Sequence, residues 1–329
     1  MVSTLRKIYR RLVRVFLHKK QDVNDGLLTF ISPSAGNIEA PVATIIVPIR
    51  VSHQAREALA RLQRLLSLIP SCFEVVVVDD GSAKRWKKEI CNFAMARHNS
   101  QYLYLPTSKR RFSLARARNS GARRSTAEII LFHDLDFLGT TETYLQIANI
   151  IRNKLSPDNK QYFFCIPVAF LTEQGTKSYI KYLQSLPRST NWAFFKEAEQ
   201  NGGVKFLVQG SSCIVVYRTY FLEIGGHDES YDGHGAEDFE LLHRLSSNYL
   251  IAKRPVDYPI NTGSGKITEY RGFRAFFALY GQDCLTSGCV LVHLFHPKRK
   301  TSGYYQHERN FAKLKNLMLE DVSCSDTHG

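Results

Sequence analysis

The chain has 329 residues, 44% of them hydrophobic and 22% charged, enough to bury an enzyme-sized core and incompatible with a mostly disordered or fibrous polypeptide. No apolar run approaches the length of a bilayer span. The seven cysteines are odd in number, scattered and never spaced C-x-x-C, which argues against a disulfide framework and a zinc site and fits a reducing cytoplasm.

The formal net charge of +14 is concentrated, because residues 1–20 and residues 109–124 each hold seven Lys or Arg and no acid. In the first segment Leu5, Ile8, Leu12, Val15 and Phe16 recur at helical spacing, with Lys7, Arg10, Arg11 and Arg14 on the other face. This pattern predicts an amphipathic basic helix that lies in an anionic membrane interface. A solvated basic helix packed on its own domain and a nucleic-acid-binding arm are the alternatives. The recurring arginines interrupt the apolar core that a secretory signal needs. Residues 21–40 are polar and punctuated by Pro33 and Gly36, so residues 1–40 read as an arm with its linker.

From residue 42 the chain changes character. Val42–Ile49 is apolar and β-branched, as a buried strand should be. An amphipathic helix follows, carried by Ala55, Ala58, Leu59, Leu62, Leu65, Leu66 and Ile69. A second buried strand, Phe73–Val78, then ends in Asp79-Asp80-Gly81-Ser82. This succession predicts a βαβ unit and a parallel sheet. A later strand, Glu128–Phe132, ends in His133-Asp134-Leu135-Asp136.

Open α/β sheets bind ligands beyond the carboxyl ends of their strands. Arg50, Asp80, Asp134 and Asp136 would therefore converge on one crevice. Carboxylates in D-x-D spacing can hold a divalent cation through oxygen while leaving positions for phosphate. The basic patch at 109–124 lies just before that strand and could supply cations to the same phosphates. Each signal has a plain reading as a turn, a cap or a solvated helix face; their order and spacing together do not.

With these motifs the chain resembles the nucleotide-sugar glycosyltransferases of the GT-A fold, family 2 and its relatives. The strand end Val78-Asp79-Asp80-Gly81-Ser82 is similar to that family's V-D-D-G-S, and Asp134-Leu135-Asp136 to its D-x-D. The resemblance implies that Asp80 contacts a uracil, that Asp134 touches the nucleotide and that Asp136 coordinates a metal, with Asp134 a further metal contact.

Pro48-Ile49-Arg50 resembles the P-F-R of the β-1,4-galactosyltransferase and chondroitin-polymerase branches, and Phe112 to Gly121 resembles their F-N-R-A-x-x-x-N-x-G. Pro48, Ile49, Arg50, Phe112, Arg116 and Asn119 are thereby implied at the nucleotide. Gly225 to Glu229 and Gly233 to Asp238 resemble G-G-F-D-E followed by G-W-G-G-E-D, with His234 in place of tryptophan and Ala236 in place of glycine. This last signature implies an acceptor site, with Asp238 as general base at a helix start and Glu237 as an acceptor-binding carboxylate. A histidine after the base helix usually completes the metal site in this fold, which points to His296 ahead of His293. Mixed oxygen and nitrogen donors favour Mn²⁺ over Mg²⁺. Lys298, Arg299 and Lys300 with Tyr304 and Tyr305 either close over the diphosphate or form a solvated loop.

The sequence thus leads to one expectation: a GT-A, Rossmann-like α/β domain over 41–310 with a mostly parallel sheet, an N-terminal amphipathic helix and a tail at 311–329. Its activity would be inverting, metal-dependent transfer of a Gal, GalNAc or GlcNAc type sugar from a UDP-sugar. The acceptor would be a growing or lipid-linked surface glycan, capsule or O-antigen, at the cytoplasmic face of the membrane. A nucleotidyltransferase lacks its glycine-rich lysine loop here and has no use for Glu237-Asp238. A nucleic-acid binder would need aromatics interleaved with its cations, and only Phe112 lies within the second patch.

Overall fold

The computed structural model describes residues 18–21, 28–31, 40–51, 55–185, 188–210, 212–262, 267–297 and 304–325. The predicted amphipathic helix over residues 5–16 lies outside them. His18–Gln21 (β1) and Leu28–Ile31 (β2) are strands paired antiparallel. β2 in turn pairs with Ser100–Tyr104 (β5), so part of the expected linker belongs to the sheet. The physical reason is that β5 would otherwise end the sheet with a row of unpaired backbone groups.

The centre of the molecule follows the predicted run. Ala43–Ile49 (β3) and Phe73–Asp79 (β4) are buried at every position, as strands covered on both faces must be. Ile129–Phe132 (β6) is likewise buried. Strands β5, β4, β3 and β6 lie side by side and parallel. They are linked through helices Ala55–Leu68 (α1), Lys84–Met95 (α2) and Leu114–Arg124 (α3). The flanks are antiparallel: β1 and β2 beyond β5, and Ile214–Tyr217 (β11) followed by Phe163–Cys165 (β8) beyond β6. The parallel character therefore belongs to the central four strands of eight.

A second sheet has the order β10-β9-β12-β7, formed by Val204–Val208, Val168–Leu171, Leu291–His293 and Phe137–Leu138. β7 starts one residue after Asp136, and β12 ends on His293. The pairing of His293 with Phe137 in that sheet is what brings these two distant segments together.

Thr141–Lys154 (α4), Glu173–Ser185 (α5), Asn191–Gln200 (α6) and Arg218–Glu223 (α7) complete the outer layers. Glu237–Asn248 (α8) carries the predicted base at its start, and Gly272–Ala278 (α9) and Gln282–Thr286 (α10) follow. His307–Ser325 (α11) runs unbroken across the expected boundary at 310. Its Leu314 and Met318 are fully buried, so the start of the supposed tail is part of the core. Among the described residues no helix is long and apolar enough to cross a membrane.

Candidate functional site

The D-D-G-S turn after β4 is built as a frame. Ser82 N–H donates to Asp79 Oδ1 at 2.8 Å and Tyr102 O–H to Asp79 Oδ2 at 2.7 Å. Gly81 has φ +88°, and a Cβ there would lie 2.5 Å from the Ser108 backbone nitrogen, so only glycine fits. Asp80 is fully buried and accepts from Thr107 Oγ1 at 2.7 Å, the Ser113 N–H at 2.9 Å and the Arg116 guanidinium at 2.8–3.0 Å. Arg50, at the end of β3, donates to the carbonyls of Thr107 and Arg110, both at 2.8 Å. Two residues from two strand ends thus fix the loop that presents Phe112.

A cavity of about 800 Å³ opens beyond these strand ends. Pro48, Ile49, Arg50, Phe112, Asp134, Asp136, Asp238, His293 and His296 line it, so most of the predicted residues come together. Asp80, Arg116, Asn119 and Glu237 do not line it. Asp80 and Arg116 neutralise each other behind its wall. Asn119 spends its amide on the turn before α8: it donates to the His227 carbonyl at 2.9 Å and to Glu229 at 3.0 Å, and accepts from the His227 N–H at 2.8 Å. Glu237 Oε2 accepts the Gly235 N–H at 2.9 Å and so ties the turn internally.

Asp136, His293 and His296 each offer one ligand atom, all within 4.8 Å of one another. His296 Nε2 lies 3.3 Å from Asp136 Oδ2. Burial pushes the His293 imidazole down to about 4 against the opposing charge of Asp136, so the ring is neutral at neutral pH and one of its two nitrogens carries a lone pair. The ring is stacked on Phe170 with centroids 4.3 Å apart. One carboxylate and two imidazoles fit a divalent transition ion better than Ca²⁺ or Mg²⁺. His293, expected only as the lesser candidate, stands in this group as fully as His296. Asp134 stands apart from it, accepting from Arg118 at 2.8 Å and Ser212 at 3.2 Å. Burial would raise the Asp134 carboxyl, but the Arg118 charge and hydrogen bond outweigh it and hold it below the usual range.

The turn that carries the predicted base is shaped by its backbone. Gly233 and Gly235 have positive φ, and so does Ala236 at +67°, where the family pattern has glycine. The turn delivers Asp238 into the cavity at the first turn of α8. Burial, and then the charge of adjacent Glu237, push its carboxyl up to about 6. His234 stacks on Tyr304 (5.6 Å, 5°), and Tyr304 on Phe112 (6.2 Å, 15°). An aromatic wall therefore runs from the Phe112 loop to the base turn. The His234 N–H donates to the Tyr304 carbonyl at 2.8 Å, and Asn310 Nδ2 on α11 to the Gly235 carbonyl at 2.9 Å. Lys298, Arg299 and Lys300 lie outside the described residues.

Two arginines of the site are not evident from the motifs. Arg61 on α1 is 7% exposed; it pairs with Asp136 and Glu57 and donates to the Phe295 carbonyl at 2.9 Å. Its signal in the sequence is its place on the apolar stripe of α1, beside Ala58, Leu62 and Leu65. Arg118 is fully buried beside Asp134, and the charges of Asp134, Glu237 and Asp238 outweigh burial and raise its pKa. A basic residue between Ala117 and Gly121 on the buried side of α3 is the corresponding clue.

No curated protein sequence matches the chain. Among solved structures it is similar to a mannosyltransferase, PcManGT from Pyrobaculum calidifontis in complex with GDP-Man and Mn²⁺, at 19% identity and a TM-score of 0.42, covering 90% of this chain and 65% of that one. It is also similar to TarS of S. aureus, at 17% identity and a TM-score of 0.38, covering 61% of this chain and 33% of that one. The 1–349 portion of TarS in complex with UDP gives 18% identity, a TM-score of 0.38, and 61% and 54% coverage. The chain thus spans less than two thirds of these proteins' lengths. A family model described as "Glycosyltransferase like family 2" matches residues 44–320, which takes in the second sheet, the first sheet apart from β1, β2 and the first residue of β3, the D-x-D segment, the Gly233–Asp238 turn and most of α11. By that match the chain belongs to the family 2-like glycosyltransferases.

Proposed function

We propose that this glycosyltransferase transfers a hexosyl or N-acetylhexosaminyl group, of the Gal, GalNAc or GlcNAc type, from a UDP-sugar with inversion at the anomeric carbon. The acceptor is a hydroxyl of a surface glycan such as capsule or O-antigen. One observation carries the reading: a single cavity joins a carboxylate with a raised pKa to a separate carboxylate–bis-imidazole cluster. Direct displacement needs these two functions, a base for the nucleophile and compensation for the departing diphosphate.

In the proposed reaction the acceptor oxygen attacks the anomeric carbon and its proton passes to Asp238. The bond from that carbon to the diphosphate oxygen breaks with its electrons, and UDP leaves. Phe112 and Arg50 frame the nucleoside end, with Asp80 and Arg116 holding that frame from behind. A divalent cation held by Asp136, His293 and His296, Mn²⁺ by the donor set, would supply charge neutralisation for the leaving group. Glu237, Asn119 and Arg118 act as positioning residues that set the base turn and the Asp134 carboxylate. The basic amphipathic pattern of residues 1–20 supports a peripheral site of action on an anionic membrane face.

The test is release of UDP from a panel of UDP-sugars with saccharide acceptors, in wild type and Asp238→Asn. The reading requires acceptor-dependent turnover that falls at least 10³-fold in the variant while UDP affinity stays within twofold. Full turnover by Asp238→Asn would remove the base assignment.

A further inference from the structure

The cavity is lined by one more arginine that neither the family motifs nor the proposed reaction employs. Arg274 lies on α9, within the aromatic run Phe273-Arg274-Ala275-Phe276-Phe277. Its guanidinium carbon is 4.7 Å from the centroid of the Phe239 ring, and 5.8 Å from those of Phe273 and Phe311. Nε donates to Asn261 Oδ1 at 2.6 Å. No carboxylate pairs with it among the described residues.

The other cations at this site are differently placed. Arg61 faces Asp136 and Glu57, Arg116 faces Asp80, Arg118 faces Asp134, and Arg50 is held by two backbone carbonyls. Arg274 is half-buried with a neutral amide and aromatic faces for company, and burial lowers its pKa. A guanidinium withdrawn from water without a carboxylate in hydrogen-bond contact is costly unless a ligand brings the anion. Aromatic faces recover part of that cost and hold the plane of the group in place.

Its position says which ligand. Phe239, under the guanidinium, is the residue after Asp238, and of the cavity's carboxylates it is Asp238 whose charge reaches Arg274. An anion on Arg274 therefore sits beside the base and the hydroxyl it deprotonates. Tyr270 and Phe311 line the cavity nearby and offer flat apolar surface to a sugar ring.

We propose that Arg274 is the anion-recognition residue of an acceptor subsite, and that the acceptor carries a carboxylate or phosphate close to the hydroxyl that is glycosylated. A planar guanidinium can meet either group with two parallel N–H···O bonds. The inference rests on the glycosyltransferase reading of the cavity and adds the chemical class of the acceptor.

The test uses the full chain with saturating UDP and Mn²⁺, titrated by calorimetry with methyl β-glucuronide, methyl glucoside 6-phosphate and neutral methyl β-glucoside. One of the two anionic probes should bind at least tenfold more tightly than the neutral one, and which of them does so separates a uronate from a phosphate. Arg274→Gln should bring the preferred anion within twofold of the glucoside, and Arg274→Lys should restore part of the difference. UDP affinity, measured on each variant, reports that the fold is intact. Equal binding of all three probes to wild type, no binding of either anion, or a preference that survives in Arg274→Gln would overturn the proposal. Failure of wild type to bind UDP at all would instead sink the parent reading.

Discussion

Asp238 stands at the first turn of α8 with its carboxyl pushed up to about 6 by burial and by the Glu237 charge. In its proposed role as base it must be ionised, so the transfer rate should climb as pH rises through about 6 and then level off. Stability should move the other way. The unfolded chain releases this proton near pH 3.9, whereas the folded chain keeps it until about 6, so across that window the folded state binds more protons. Stability is accordingly lost as pH rises through the window. Asp238→Asn should therefore melt higher than wild type at pH 8 and level with it at pH 4; an equal gain at both would contradict the assignment. Two residues earlier, Ala236 at φ +67° bears a steric cost of about 1 kcal/mol that glycine avoids. Glycine also loosens the unfolded chain, so Ala236→Gly should gain less than that and raise the melting temperature by about 2 °C in calorimetry.

At the scale of elements, the candidate metal cluster depends on three segments meeting. β7 and β12 pair in the second sheet, and Arg61 on α1 fastens both, through Asp136 and the Phe295 carbonyl. Arg61→Met leaves the partly buried Asp136 without the guanidinium that faces it and should lower the melting temperature, while Glu57, largely exposed, adds little to the loss. The loss should be largest in chelator and partly recovered by Mn²⁺, which compensates Asp136 in the arginine's place. Thermal melts with and without Mn²⁺ check this, and identical losses in both would argue against a metal on Asp136.

What the sequence discloses follows element length. β3, β4 and β6 are continuous buried runs and can be read directly, as can α1 with its regular apolar spacing. β7, β8 and β12 have two or three residues, too few for any periodicity, so the second sheet and the meeting of His293 with Asp136 are invisible before folding. The motif residues separate in the same way. Asp136, Asp238 and Arg50 reach the cavity from strand and helix ends, while Asp80, Arg116 and Asn119 have their hydrogen-bonding capacity taken by partners distant in the chain and Glu237 turns back onto the Gly235 N–H. Arg61, Arg118 and Arg274 escape a motif search because each is a cation on an otherwise apolar helix face, meaningful only once its neighbours are known.

Across the whole molecule, charge and site are separate devices. The positive excess lies at 1–20 and 109–124, and within the second patch Arg116 and Arg118 are consumed by Asp80 and Asp134. In the proposed membrane role the arm would therefore be the larger source of attraction to an anionic surface. Deleting residues 1–17, which leaves β1 intact, should reduce co-sedimentation with anionic liposomes at least tenfold without lowering transfer to a soluble acceptor. Unchanged sedimentation would remove the membrane role.

The central claim, a metal-assisted nucleotide-sugar site assembled on Asp136, His293 and His296, is tested most directly by calorimetric titration with UDP. Wild type and Asp136→Ala would be measured with Mn²⁺ and again with excess chelator, and with GDP as a second nucleotide. The account predicts UDP binding by wild type that needs Mn²⁺, is weakened at least tenfold by chelator, and is lost in Asp136→Ala. UDP binding of equal strength with and without metal, or absence of nucleotide binding in every condition, would contradict it.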